Sequence, residues 1–218
     1  MTDADVEYRP TGRLLLTFPL YLSISAQTFV RFIAVDKSPV VDYQATMKVY
    51  LPRAMQDMAA AAIKEDTWDR LVIWEADMLP PVDGLLRIAA YPDELDIVGS
   101  AYFQHRQPHH PMLFEQVDEE HFRTLHYTQV NPMMESPGIY PVDAVGFGFT
   151  SIHRRVLEKW DPDIPMFHSE TLGHDMYHCR EAKRQGFSVH VDTGLHCHHI
   201  SEHAVGYEHY LEQQTAEQ

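Results

Sequence analysis

The most constraining feature of this 218-residue chain is a change of character within eight residues: Leu71-Val-Ile-Trp74 is wholly apolar, and Glu75-Ala-Asp77 follows with no spacer. A short run that apolar reads as a strand buried on both faces. Its first polar side chains therefore emerge at the strand's carboxyl end, where open α/β sheets bind ligands. In an extended chain, residues i and i+2 project to the same side, so Glu75 and Asp77 can meet one hard cation, Mg²⁺ or Mn²⁺. The same pair is also compatible with a plain polar strand end before the Pro80-Pro81 break.

The rest of the chain supplies alternating elements. Arg13 to Phe18 reads as a buried strand stopped by Pro19. Leu51 to Lys64 reads as a helix with Pro52 near its start and Met55, Met58, Ala59, Ala62 and Ile63 on one face. Val82 to Ala90 is a second helix and Ile97 to Phe103 a third strand. Residues 112–140 show weak periodicity and are placed as strands and loops. Val142 to Ile152 is strand-like around Gly146 and Gly148, and Arg154 to Trp160 is a short helix. His174 to Gln185 is a helix ended by Gly186. Ser188 to Asp192 and Leu195 to Ile200 are short strands around a Thr-Gly turn, and from Ser201 the chain is polar and acidic. Strand–helix alternation followed by a mixed second half predicts an α/β fold, with a mixed central sheet flanked by helices.

Composition narrows the partners. Seventeen Lys and Arg face 32 Asp and Glu, a net charge of −15. That balance opposes a nucleic-acid footprint or an anionic membrane. It leaves an anionic small ligand open, because a bound cation reverses the local sign. The apolar stretch from Leu14 to Val35 contains Pro19, Ser23, Ser25, Gln27, Thr28 and Arg31, so it is read as strand, loop and helix, not as a membrane span. Asp3, Asp5 and Glu7 carry the wrong charge for a signal peptide. Cys179 and Cys197 form no CxxC pair, and a reduced, cytoplasmic protein is the expectation.

Fifteen histidines invite a metal reading, although most scattered histidines belong to surfaces or satisfied cores. His174 and His178 stand at i and i+4, a spacing that can chelate zinc, but without the glutamate of HExxH. If Leu195 to Ile200 is a strand, His196 and His198 share one face, and Cys197 and His199 the other. At most one of His198 and His199 then enters a given site. Asp175 lies in the first turn of its helix, either complementing the helix dipole or acting as a general base in a cleft.

Five segments, in order, carry a family resemblance. Leu71 to Pro80 resembles the strand and DxD corner of GT-A glycosyltransferases, in particular the short single-domain, family-2-like forms of phages and bacteria. Asp96-Ile-Val-Gly-Ser-Ala-Tyr-Phe103 with Arg106 and Pro108 is similar to the next strand of that group. So are Val142 to Phe149 with Ile152 to Lys159, Gly173-His-Asp-Met-Tyr-His-Cys179 with Gly186-Phe187, and Asp192 with Cys197-His-His-Ile200. The resemblance spans residues 50–200 and, more weakly, the first strand. It implies one catalytic domain over 1–200, an acidic tail over 201–218, a nucleotide-diphosphate sugar donor and a divalent ion, Mn²⁺ or Mg²⁺.

Residue by residue, the resemblance implies metal ligands at Glu75, Asp77 and His199, a catalytic carboxylate at Asp175, and a donor contact from Arg53. Two positions depart from the pattern: Glu75 replaces the first Asp, and His174 replaces a Glu. The expected activity is transfer of a sugar from that donor to an acceptor hydroxyl, with inversion. The acceptor is open among protein, small molecule, glycan and modified DNA. The competing readings are a non-catalytic metal- or partner-binding protein on the same fold, and a nucleotidyltransferase. The latter lacks its Gly-rich loop here, since Thr17-Phe-Pro-Leu20 is not one.

Overall fold

A computed structural model describes residues 11–20, 23–169, 172–200, 204–208 and 210. In chain order the elements are β1 (Leu14–Leu20), α1 (Ala26–Ala34), β2 (Val40–Met47), α2 (Leu51–Ala62), β3 (Arg70–Trp74), β4 (Met78–Leu79), α3 (Gly84–Ala89) and β5 (Ile97–Ala101). They continue with β6 (Leu113–Gln116), β7 (Phe122–Thr124), α4 (Tyr127–Glu135), β8 (Ile139–Pro141), β9 (Ala144–Val145) and β10 (Phe149–His153). The last are α5 (Arg154–Glu158), α6 (His174–Arg184), β11 (Val189–His196), β12 (His198–Ile200) and β13 (Ala204–Val205).

Seven strands form the central sheet in the order β2-β1-β3-β10-β5-β11-β8. β1 runs parallel to β2 and β3, β10 runs antiparallel to β3 and β5, and β11 is parallel to β5. The sheet is therefore mixed, as expected. Its strands divide their side chains by the period of two. Leu15, Leu71 and Ile73 face one apolar cluster, with Met55, Met58 and Ala62 of α2, Val156 of α5, and Cys179 and Ala182 of α6. Leu14, Leu16, Val72 and Trp74 face the other, with Leu85, Ile88 and Ala89 of α3. Helices thus cover both faces, which is why Leu71 to Trp74 of β3 are apolar.

Several local expectations change. β1 continues through Pro19, because β3 pairs only with Leu14 to Thr17 and beyond that point the strand keeps β2 alone. A missing N–H is tolerated there. Residues 189–196 form one strand, not two around a turn: the Thr193-Gly194 segment is absorbed as an irregularity between Asp192 and His196. α4 was missed within residues 112–140. It contains Pro132, begins with a capping box from His126 and Gln129, and buries only Val130 and Met134, too thin a stripe to show as periodicity. Val142 to Ile152 splits into β9 and β10 at Gly146–Gly148, where the Tyr102 hydroxyl occupies the space a Cβ at Gly146 would need. Most of the expected acidic tail lies outside the described residues, but Tyr207 and Tyr210 stack on Phe103 at 5.7 and 4.7 Å.

One buried ion pair ties α3 to β11. Asp192 is fully buried and accepts from the Arg87 guanidinium at 2.5 and 2.7 Å and from the Tyr91 hydroxyl at 2.7 Å. Removing one partner would strand a charge in the core. Arg87→Met is therefore expected to lower stability by about 3–5 kcal/mol in urea unfolding. A loss below about 1 kcal/mol, the worth of an exposed pair, would show that the carboxylate is not held in this way.

Candidate functional site

The Glu75–Asp77 segment is not extended. The Met78 N–H donates to the Glu75 carbonyl at 3.2 Å, closing a turn immediately after β3. The argument that i and i+2 share one side fails here, because it holds only for a strand. Each carbonyl of the turn has its own donor. Ala76 accepts from the Thr28 hydroxyl at 2.8 Å, Asp77 from the Ile200 N–H at 2.7 Å, and Met78 from the Trp74 indole at 3.0 Å. The Glu75 N–H donates to the Gly148 carbonyl at 2.8 Å.

Pairing of β4 with β12 then sets His199 opposite Met78. This brings His199 Nε2 to 3.2 Å from Asp77 Oδ2, although the two residues are 122 apart in sequence. The alternation read from the sequence is preserved: His196 and His198 are exposed, Cys197 is buried, and His199 is partly buried on the inner side. His199 Nδ1 donates to the Phe103 carbonyl at 3.1 Å. His105, which follows that strand, places its Nδ1 3.3 Å from His199 Nε2. Asp77, His105 and His199 each offer one ligand atom, all within 4.8 Å of one another. Sequence reasoning noted His105 only as one of a cluster. The signal was its place two residues past Phe103, in the segment that follows β5.

Glu75 turns elsewhere. Its Oε1 lies 4.0 Å from His174 Nε2. Burial, and after it the charges of Asp77 and Asp175, pushes its carboxyl up to about 8. Burial would also raise Asp77, but the hydrogen bond and charge of His199 outweigh it, and this carboxyl sits below its usual range. Tyr102 stands behind the group. Burial, and then Glu75 and Asp175, lifts its phenol well above the ordinary value, and its oxygen accepts from the Gly148 N–H at 3.1 Å. Asp175 is 8% exposed at the start of α6 and accepts from the Met176 N–H at 2.8 Å.

Beside Glu75 and Asp77 opens a cleft of about 650 Å³, walled by Pro19, Ser25 and Tyr50. Arg53 does not line it. Its side chain is exposed and paired with Asp57 at 2.9 Å, on the rim of a neighbouring cleft that shares Tyr50. The structure therefore gathers Asp77, His199, Glu75 and Asp175 around one end of β3 and sets Arg53 apart.

The His174/His178 pair is not a chelate. His178 is fully buried, stacked between Trp160 and Phe167 at 4.7 and 4.6 Å, and its Nδ1 donates to the Met166 carbonyl at 2.9 Å. Burial pushes it down to about 4. Between that value and the unfolded value of about 6.5, only the unfolded chain binds the proton. Stability is thus retained above about 6.5 and falls as pH drops toward 4, by roughly 3 kcal/mol from this ring. His178→Phe should flatten that slope by about one proton in unfolding titrations, and an unchanged slope would refute the assignment.

Neither protein-family models nor curated protein sequences yield a match to this chain. Solved structures do. A197 from STIV superposes with a TM-score of 0.67 at 18% identity, over 90% of this chain and 91% of that one. GalNAc-T7 with UDP, GalNAc and Mn²⁺, a GT-A glycosyltransferase, superposes with a TM-score of 0.52 at 10% identity, over 87% of this chain and 43% of that one. The fold is accordingly that of the GT-A glycosyltransferases.

Proposed function

We propose that the protein is a divalent-metal-dependent glycosyltransferase that moves a sugar from a nucleotide-diphosphate donor to an acceptor hydroxyl. The observation that carries this reading is the meeting of Asp77 and His199 at the carboxyl end of β3, beside an open cleft, in a GT-A fold. The residues fit a cation. His199 Nδ1 donates to the Phe103 carbonyl, which fixes the ring with Nε2 toward the Asp77 carboxylate. A cation would be shared by those two atoms. Asp77, held below its usual range, is the charged carboxylate of the two, and its close ionic neighbour is His199.

A Mn²⁺ or Mg²⁺ ion held by Asp77 and His199 would offset the charge that develops on the departing diphosphate. The protein's own residues do the rest. The cleft next to Tyr50 has room for a nucleotide. Glu75, enclosed and raised in pKa, stands between Asp77 and the start of α6. Asp175 is our proposed base, the carboxylate that would take the proton of an acceptor hydroxyl as it attacks the anomeric carbon from the face opposite the leaving group. Arg53, on the neighbouring cleft that shares Tyr50, would meet a donor only if it extended past Tyr50. Two free, buried thiols, Cys179 and Cys197, suit a reducing, cytoplasmic setting, and among the described residues no helix is long and apolar enough to cross a membrane. A non-catalytic metal-binding role on the same fold is favoured by one observation: the Asp175 carboxylate is nearly closed off and bonded to its own helix.

Calorimetric titration with UDP-, GDP-, TDP- and CMP-sugars, with and without Mn²⁺, tests the reading. One donor should bind in a manganese-dependent manner, and Asp77→Ala should abolish that dependence. Asp175→Asn should keep donor affinity and lose transfer by about 10²-fold or more. Equal loss of donor binding would remove Asp175 as the base, and silence across the panel would favour the non-catalytic role.

A further inference from the structure

His105 has no part in the reading above, yet its Nδ1 points into the space between Asp77 and His199. His105 Nδ1 lies 3.3 Å and Asp77 Oδ2 3.2 Å from the same ring nitrogen, His199 Nε2. The ligand atoms of all three residues lie within 4.8 Å of one another, so a single cation can contact all three. We propose that Asp77, His105 and His199 form one three-ligand metal centre, with His105 taking the place that the sequence pattern gives to Glu75. This rests on the metal-dependent reading of the same site.

Glu75 is excluded by its backbone. The turn at Glu75–Met78 rotates its side chain toward His174, and the Asp77 side chain toward β12. His105 is delivered instead by the segment after β5, anchored where Cys197 N–H meets the Ala101 carbonyl and Phe103 meets His199. The consequence is selectivity. Two imidazoles and one carboxylate form a nitrogen-rich set that prefers transition ions to Mg²⁺, whose chemistry favours oxygen. Three protein ligands also leave coordination positions for oxygens from solution.

The test uses metal alone, without nucleotide. The intact chain, stripped of metal, is titrated with Co²⁺ and followed by visible absorption. One Co²⁺ should bind per chain, and Mg²⁺ at about 100-fold excess should fail to displace it, as the donor set requires. His105→Ala and His105→Gln should each weaken Co²⁺ binding by at least about tenfold, while His198→Ala, on the opposite face of β12, stays within about twofold. Thermal unfolding of the metal-free variants should match the native chain. The proposal is overturned if both His105 variants bind Co²⁺ like the native chain, if Mg²⁺ displaces Co²⁺ at equal concentration, or if no Co²⁺ binds. Those failures leave the donor titration free to support sugar transfer. Donor silence with an intact Co²⁺ site would remove sugar transfer and keep the metal centre.

Discussion

Four successive carbonyl groups, Glu75 to Met78, are held by donors from three parts of the chain: the β3–β4 segment itself, α1 and β12. Glu75 is met by its own turn, Ala76 by the Thr28 hydroxyl of α1, Asp77 by the Ile200 N–H of β12, and Met78 by the Trp74 indole. The need to satisfy buried backbone groups explains why so many elements converge there. β3 is buried on both faces and spends its polar atoms on its neighbours. Where it ends, the next carbonyls must find partners quickly, and each partner brings its own element with it. Ser25, which caps α1, lines the cleft, and β12 brings His199. The Glu75 N–H draws in Gly148 and with it Tyr102.

Burial was legible in the sequence; side-chain direction was not. The apolar run from Leu71 to Trp74 announced a strand between two helical layers, and the stripe of Met55, Met58 and Ala62 announced one of those layers. Alternation admitted only one of His198 and His199, and the resemblance chose His199, which is the less exposed of the two. What failed was the geometry of single residues. Whether Glu75 and Asp77 look the same way depends on one backbone bond, Met78 to Glu75, which no side chain in the turn encodes. His105 could not be selected from its neighbours His109 and His110, because its role comes from a contact 94 residues away. α4 was hidden by Pro132 and by a buried face of two residues. His174 and His178 showed the opposite error: a suggestive spacing that the core uses for stacking.

On charge alone, a chain of net charge −15 is a poor host for a diphosphate. The candidate site gives a local answer. Asp77, Glu75 and Asp175 lie together, and burial first, then the charges of Asp77 and Asp175, push Glu75 upward. Histidines meet part of that charge, and a divalent ion would convert the rest from a barrier into a docking point. The account stands or falls on that ion's position. The most direct measurement is a crystal grown with Mn²⁺ and UDP, with anomalous diffraction recorded at the manganese edge. The account predicts one strong peak bounded by Asp77 and His199, with diphosphate oxygens on its open side toward Tyr50. Nucleotide bound with no peak there, or a peak elsewhere, would contradict it.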